Sequence, residues 1–304
     1  MKPPSESPDF DDTISQPPSY FVMTDDGGYR VLPLDGTETS NGSRGGGGAG
    51  SASQADTDGG LPASGGRGPG PHLGFLDIDT SNGGLPPCSS TLYAIVRDFH
   101  ADGIDFEGKV TGAETGLVAE QLGTDRKPVF VPTGATVTVS GPQSFNRWYR
   151  DVQGVNAPFV LEMQFGKADS DAADSGTLNF YANEFFPLDG GGFGEEGFPH
   201  NYHFTTEIHT QFIYRGGERF GITGDDDVWI FVNGWLVADL GGTHQSETAE
   251  IDMDSIAGRV GIQVGHIYPF EMFHAERHTI SSVFRADTNV QFVDCGALFP
   301  GDTQ

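Results

Sequence analysis

The sequence predicts an all-β fold, a β-sandwich or barrel with a long disordered N-terminal tail. From residue 88 onward, short runs rich in aromatic and β-branched residues recur between Gly, Asp, Asn and Pro, which is typical of strands joined by turns. Residues 1–87 instead contain stretches such as NGSRGGGGAG, with few apolar side chains to offset the entropy of ordering. We therefore predict a tail or linker over residues 1–87 and one β-domain over residues 88–304.

The runs that predict strands cover most of the proposed domain. In order they are residues 92–96, 129–131, 136–139, 159–165, 204–214, 219–223, 228–232, 235–240, 259–264, 268–274 and 283–293. One short helix is expected at residues 112–123. The clearest local feature is VWIFV, followed by Asn233-Gly234 and WLV, because an Asn-Gly pair between two apolar runs predicts a β-hairpin.

The charge of the chain excludes several classes of function. The sequence has 43 acidic and 16 basic residues, for a formal net charge of −27. Such a chain repels phosphate backbones and anionic membrane surfaces, so we expect no nucleic-acid partner. No apolar run approaches the roughly 18 residues that span a bilayer, so we expect no membrane insertion.

The two cysteines lie just outside the predicted strands, Cys88 before the first and Cys295 after the last. Domain termini often lie close together, so this position favours a disulfide over two buried thiols. A disulfide implies an oxidising, extracellular or cell-surface location. The sequence begins MKPPSESPDF, without a basic and then apolar signal segment, which conflicts with that location.

Three successive carboxylates, Asp225, Asp226 and Asp227, precede the predicted hairpin. At neutral pH they repel one another, and a cation among them lowers that cost. Calcium takes several oxygen ligands, so an Asp-rich loop at a strand end suits it. The alternative is a solvated acidic turn.

Residues 224–244, GDDDVWIFVNGWLVADLGGTH, resemble the signature of the fibro-slime domain, a relative of the PA14 β-barrel. Further blocks of the resemblance are RDF at 97–99 with DFE at 105–107, WYRD at 148–151 with Asn156, FTTEIHTQF at 204–212 and FHAERHT at 273–279. Together they cover essentially residues 88–295. The resemblance implies a PA14-like β-sandwich displayed outside the cell.

The resemblance also implies a site. In several sugar-binding PA14 proteins, an Asp-Asp pair joined by a strained peptide holds calcium, and the ion coordinates sugar hydroxyls; Asp225 and Asp226 occupy the matching positions. Asp227 would add a ligand or face solvent. The candidates for ligand contact are Asn233, Asp239 and His244, with Trp235 as a ring that would stack on a sugar.

A zinc site is the rival hypothesis, because His274 and His278 are four residues apart with Glu276 between them. The flanking residues read as strands, in which i and i+4 lie about 13 Å apart, so both imidazoles would not reach one ion. A structural role is favoured instead, with Glu276 and Arg277 as a partly buried pair that ties strands together.

The sequence thus predicts a non-enzymatic, secreted or cell-surface module that binds calcium and an extracellular polysaccharide or glycan, in adhesion or in an extracellular slime matrix. The alternative is a structural or signalling protein that binds protein partners or self-assembles, with no sugar site. A hydrolase at His274, Glu276 and His278 is the third hypothesis.

Overall fold

A computed structural model of the chain describes the backbone of residues 29–32 and, with side chains, most of residues 91–167 and 177–296. All of these residues belong to one compact unit. The predicted disordered tail, apart from residues 29–32, and Cys88 lie outside the described residues. The domain boundary at residue 88 therefore stays a prediction.

Strands dominate the described part of the chain. They are β1 (Tyr29–Leu32), β2 (Thr91–Phe99), β3 (Gly112–Ala113), β4 (Asn156–Gln164), β5 (Gly166–Lys167), β6 (Leu178–Ala182), β7 (Phe204–Ile213), β8 (Arg219–Gly224), β9 (Asp227–Val232), β10 (Trp235–Leu240), β11 (Gly242–Thr243), β12 (Glu247–Asp252), β13 (Ile267–Glu276), β14 (Phe284–Thr288) and β15 (Gln291–Asp294). The helices are α1 (Pro142–Phe145) and α2 (Met253–Val260).

Two antiparallel sheets form the predicted sandwich. The larger sheet has the order β1-β4-β2-β7-β13-β9-β10, with β15 paired to the second half of β7, and the smaller has the order β12-β8-β14-β6-β5. Alternate residues of both sheets enter one hydrophobic core, for example Val228 and Ile230 from β9 and Phe220 and Ile222 from β8. This period of two is what a sheet with one face in a core requires. The all-β prediction is confirmed.

A second hydrophobic core lies on the other face of the large sheet. Trp229 and Phe231 of β9 pack there against a layer of loops and α1, which supplies Phe145, Trp148 and Tyr149. Strand β9 is consequently buried on both faces, which explains why VWIFV is a continuous apolar run rather than an alternating one.

The predicted Asn-Gly hairpin is confirmed. Strands β9 and β10 pair with Val232 opposite Trp235, so the loop has two residues. Asn233 and Gly234 have φ values of 52° and 75°. Positive φ at both central residues fits a type I′ turn, whose twist matches that of the strands.

Some predicted elements are wrong. Residues 112–123 form no helix; they contain β3 and isolated bridging residues. Residues 129–131 and 136–139 are loop segments with one bridging residue, Phe130. Residues 259–264 include the end of α2 and the turn that follows it, because Asp252 caps the start of that helix and Gly261 ends it with φ 73°.

Strand β1 was not predicted from the sequence. It pairs with the outer edge of β4, from Tyr29 opposite Met163 to Leu32 opposite Val160. No helix within the described ranges has the length and apolar character needed to cross a membrane.

Candidate functional site

Asp225 and Asp226 lie where the chain crosses from one sheet to the other. Strand β8 of the small sheet ends at Gly224, and β9 of the large sheet begins at Asp227. The two residues between them are therefore at one end of the sandwich. The peptide bond that joins them is cis. Both side chains are buried, with 2% and 5% of their surface exposed.

The Asp225 carboxylate is held by the loop that follows β13. Its Oδ1 accepts a hydrogen bond from the backbone N–H of Val283, and its Oδ2 accepts one from the Ser281 hydroxyl at 2.8 Å. Burial raises the pKa of Asp225, and these two hydrogen bonds reduce that rise. The positive form of His244 would also lower it, which places His244 near the pair.

The Asp226 carboxylate accepts fewer hydrogen bonds than that of Asp225. Its Oδ2 accepts a hydrogen bond from the backbone N–H of Arg277 at 3.0 Å. Burial raises its pKa to about 7; the Arg277 charge acts against this rise, and the neighbouring Asp227 and Asp225 charges add to it. The carboxyl group of Asp226 therefore takes up a proton more readily than an exposed aspartate does.

Asp227 is held inside the protein by hydrogen bonds, and its role as a metal ligand stays a prediction. Its Oδ1 accepts a hydrogen bond from the backbone N–H of Gly242, and its Oδ2 accepts one from Arg277 Nε at 2.6 Å. The Arg277 guanidinium also donates to the carbonyl of Thr138 and stacks 4.6 Å from the centre of the Trp148 ring. Both Asp227 oxygens are thus engaged inside the protein.

The predicted pairing of Glu276 with Arg277 is wrong. Consecutive residues of a strand point to opposite faces, so Arg277 turns towards Asp227 and Trp148 while Glu276 turns away. Glu276 has no exposed surface, and neither of its oxygens has a partner in hydrogen-bond geometry, although the Ser282 hydroxyl and the His278 backbone lie beside it. Burial, together with the charges of Asp226 and Asp225, raises its pKa well above the ordinary value.

The two histidines of the zinc hypothesis have different partners. His274 is fully buried, and its Nε2 donates to the carbonyl of Asp225 at 2.8 Å, since a carbonyl only accepts. Burial lowers its pKa to about 4, so the ring is neutral. His278 donates from Nδ1 to the carbonyl of Thr279. Residues 29–32, 91–167 and 177–296 contain no group of three or more His, Cys, Asp or Glu side chains arranged to hold a metal ion.

The residues around the pair nevertheless suit a cation. Asp225, Asp226 and Glu276 bring three buried carboxyl groups to one end of the sandwich. The nearby guanidinium of Arg277 is engaged by Asp227, and the Glu276 oxygens are unpartnered. Oxygen-rich, anionic surroundings with unsatisfied acceptors are what a hard divalent cation requires.

The other sequence-predicted ligand candidates do not lie together. Asn233 and Trp235 are at the far end of β9, and the seven residue steps from position 226 to position 233 span about 23 Å in an extended strand. Asn233 donates to the carbonyl of Val260. Asp239 accepts from Trp229 Nε1 at 2.8 Å and serves the second core. His244 is the one candidate near Asp225.

Sequence reasoning missed Ser281 and Val283, which hold Asp225, and the exposed Ile280 beside them. These residues come more than 50 positions after the acidic run, so only the fold connects them to it. No motif in the sequence marks them.

A second buried charge cluster lies on the outer face of the large sheet. The Glu207 carboxylate accepts hydrogen bonds from Arg97 Nη1 at 2.6 Å and from Lys127 Nζ, and His209 Nε2 lies within hydrogen-bond distance. Arg97 also donates from Nε to Asp151 at 2.8 Å. Burial opposes ionisation of Glu207, but the three basic neighbours outweigh it and hold its pKa below the ordinary range.

Comparison with known proteins identifies the class. The family model of the PA14 domain matches residues 194–297, which contain Asp225, Asp226 and Glu276. Residues 194–297 are therefore similar to the PA14 domain, in agreement with the resemblance seen in the sequence.

Curated relatives come from Dictyostelium discoideum. Protein psiQ is 36% identical over 204 residues, which cover 61% of this chain and 20% of psiQ. Protein psiD is 35% identical over 226 residues, which cover 69% of this chain and 42% of psiD. The matched region thus spans less than half of the length of either relative.

Similarity to solved structures is distant. The PA14 domain of the MpAFP antifreeze protein matches with 15% identity and a TM-score of 0.26, over 41% of this chain and 75% of that domain. A beta-glucosidase from Kluyveromyces marxianus in complex with glucose matches with 12% identity and a TM-score of 0.24, over 63% of this chain and 16% of that enzyme. TM-scores this low support no statement about the fold or the function of this chain.

Proposed function

We propose that this chain is a non-catalytic, extracellular or cell-surface binding module that holds calcium at Asp225 and Asp226 and binds a carbohydrate through that ion. The observation that carries the proposal is the pair of buried carboxylates at the crossing between the two sheets, inside the residues matched by the PA14 model. Extracellular polysaccharide in adhesion or in a slime matrix is the proposed ligand class.

The chemistry of the pair supports a divalent cation as a ligand of its carboxyl groups. Burial raises the pKa of both carboxyl groups, the charges of Asp227 and Asp225 add to the rise at Asp226, and a divalent cation would offset that repulsion. Asp225 and Asp226 would be side-chain ligands, with further oxygens from backbone, hydroxyl or water. The ion would supply open coordination positions for vicinal sugar hydroxyls. His244 would lie at the edge of the site.

Calorimetric calcium titration tests the metal site. The wild-type chain is expected to bind calcium, and the Asp226→Ala variant is expected to lose at least tenfold in affinity. The Asp102→Asn variant is the matched control, because Asp102 is an exposed aspartate in a nearby loop. Equal titrations of the wild type and Asp226→Ala would reject the site.

A glycan array tests the carbohydrate ligand. Binding in calcium that disappears in chelator and in the Asp226→Ala variant is the expected result. An array without binding in calcium, from a protein that does bind the ion, would reject the carbohydrate part of the proposal alone.

The proposed extracellular location relies on the Cys88–Cys295 disulfide. The backbone N–H of Tyr93, five residues after Cys88 in the sequence, donates to the carbonyl of Cys295 at 2.8 Å. Mass spectrometry of the unreduced protein tests the pairing. A free thiol at either position would contradict it.

A second candidate function is association with a protein partner or with further copies of the chain. It is favoured by aliphatic side chains exposed on the loops at the Asp225 end: Ile104 at 58%, Val110 at 55%, Val137 at 64% and Ile280 at 87%. Sedimentation of the wild type and Ile280→Ser over a range of concentrations tests it. A wild type that stays monomeric throughout would argue against self-assembly.

A further inference from the structure

Glu276 ends β13 with a carboxyl group that the fold leaves unsatisfied. Its side chain has no exposed surface, and neither carboxyl oxygen has a partner in hydrogen-bond geometry, although the Ser282 hydroxyl and the His278 backbone lie beside it. The hydroxyl of Ser282, also fully buried, likewise has no partner in hydrogen-bond geometry. Buried polar groups without partners are costly, and their persistence points to something that they bind.

Strand pairing places Glu276 beside the aspartate pair. Ala275 lies opposite Asp227 in the β13–β9 ladder. The N–H of the peptide that follows Glu276 donates to Asp226 Oδ2 at 3.0 Å. The charges that act most strongly on the Glu276 carboxyl are those of Asp226 and Asp225.

The cations that would ordinarily neutralise such a group are used elsewhere. Arg277 points to the opposite face of the strand and is held by Asp227 at 2.6 Å. His274, two residues before Glu276 on the same face, donates its one N–H to the carbonyl of Asp225. Glu276 therefore faces two other carboxyl groups and an unpartnered hydroxyl, which is an arrangement that attracts a cation and its water ligands.

We propose that Glu276 forms the buried side of the cation site at Asp225 and Asp226, where it and Ser282 hold a water molecule that ligates the ion. This inference rests on the proposed calcium site. Glu276 is then a positioning residue, since three carboxyl side chains do not themselves converge on one point. Its negative charge adds to the attraction for a divalent cation, and its oxygens orient the water.

The test compares two equally buried glutamates of one strand. Glu271 lies on the other face of β13, where Arg126 Nη2 donates to it at 2.6 Å. Calcium titration is carried out on the full chain with Glu276→Gln and, as control, Glu271→Gln. Glu276→Gln is expected to weaken calcium binding at least tenfold, with a metal-free melting temperature equal to or above that of the wild type. Glu271→Gln is expected to keep the calcium affinity within twofold.

Terbium luminescence supplies a readout that a merely structural role would not change. The decay rates of bound Tb³⁺ in H₂O and D₂O count its water ligands. Glu276→Gln is expected to change that count relative to the wild type, and Glu271→Gln is expected to leave it unchanged.

The possible outcomes separate this inference from the proposed function. A wild type that binds calcium, with Glu276→Gln equal to it, overturns the role of Glu276 alone. A wild type that binds no calcium overturns both. Equal losses of calcium affinity in Glu276→Gln and Glu271→Gln indicate a general structural effect and overturn the inference. If Glu276→Gln does not fold, Ser282→Ala replaces it, and an unchanged water count and affinity in that variant overturn the inference.

Discussion

Two buried glutamates of the large sheet are in opposite electrostatic situations. Glu207 in β7 is surrounded by Arg97, Lys127 and His209, and its pKa is held below the ordinary range. Glu276 in β13 faces Asp225 and Asp226, has no hydrogen-bond partner at either oxygen, and has a raised pKa. Both side chains are essentially inaccessible to solvent.

The difference separates a buried charge with ion-pair partners from one without them. Burial penalises both carboxylates, but only Glu207 has partners that repay the lost hydration. Its cluster ties β2 and β7 to the loop layer and needs no ligand. At Asp225, Asp226 and Glu276 no basic side chain of the described residues forms an ion pair, although backbone N–H groups and the Ser281 hydroxyl donate to the two aspartates. Acids whose pKa is strongly perturbed in this way are frequent in binding sites.

The largest expected effect follows from breaking the satisfied cluster. Glu207→Gln leaves Arg97 and Lys127 buried without their carboxylate, so we expect a loss of about 3–5 kcal/mol in the free energy of unfolding. Urea denaturation measures it. Glu250→Gln, an exposed glutamate of β12, is the control and is expected to stay within about 0.5 kcal/mol of the wild type. A loss below about 1 kcal/mol for Glu207→Gln would contradict the structural role.

The stability difference between the wild type and Glu207→Gln is expected to depend on pH. The pKa of Glu207 is lower in the folded state than its ordinary value of 4.5, so the carboxylate stabilises the fold above that pH and the contribution disappears as the pH falls further. The stability difference between the wild type and Glu207→Gln is therefore expected to shrink from pH 5 to pH 2. A difference that grows over that range would reverse the sign and reject the ion cluster.

The β-sandwich could be predicted from the sequence, whereas the positions of the helices could not. Alternation and the Asn233-Gly234 turn are local signals, so the sandwich and its central hairpin were predicted. Helix α2 was missed, although Asp252 and Gly261 are good cap residues, because the β-branched and apolar residues at 259–264 suggested a strand. The cap residues favour a helix and the apolar run favours a strand, so the local sequence alone does not determine the structure there.

Only those residues of the site that are adjacent in the sequence could be predicted from it. Asp225 and Asp226 are adjacent in sequence, so their repulsion can be seen without a fold. The partner of Asp226 is the Arg277 backbone N–H, and the partner of Asp227 is the Arg277 guanidinium. Arg277 comes about 50 residues later, and its position depends on the pairing of β13 with β9. No local signal gives that register, which is why Glu276 and Arg277 were paired with each other.

An intermediate change in stability is expected when the buried charge of Asp226 is removed. In chelator at pH 8, Asp226→Asn should be more stable than the wild type by on the order of 2 kcal/mol, because it removes a buried charge next to two others. The folded pKa of about 7 exceeds the ordinary 3.8, so the wild type should lose stability as the pH rises through that interval while the variant does not. Denaturation with and without calcium measures both.

Calcium should reverse the ranking in that experiment. Binding stabilises only the chain that holds the ion, so saturating calcium is expected to raise the melting temperature of the wild type and not that of Asp226→Asn. If Asp226→Asn is less stable than the wild type in chelator, the Asp226 carboxylate stabilises the fold as that of Glu207 does. The two regions would then not differ in the way described above.

The smallest expected change in stability shows how much the burial of an acceptor matters within the Glu207 cluster. Arg97 donates to two carboxylates, the buried Glu207 and Asp151, whose side chain is 38% exposed. Water and salt screen the outer pair, so Asp151→Asn is expected to cost about 0.5 kcal/mol, and less still in high salt. The two variants, Asp151→Asn and Glu207→Gln, remove one acceptor each from the same guanidinium and differ in exposure. Equal losses in urea denaturation would mean that the number of ion pairs, rather than the burial of the charge, distinguishes the two regions of the molecule.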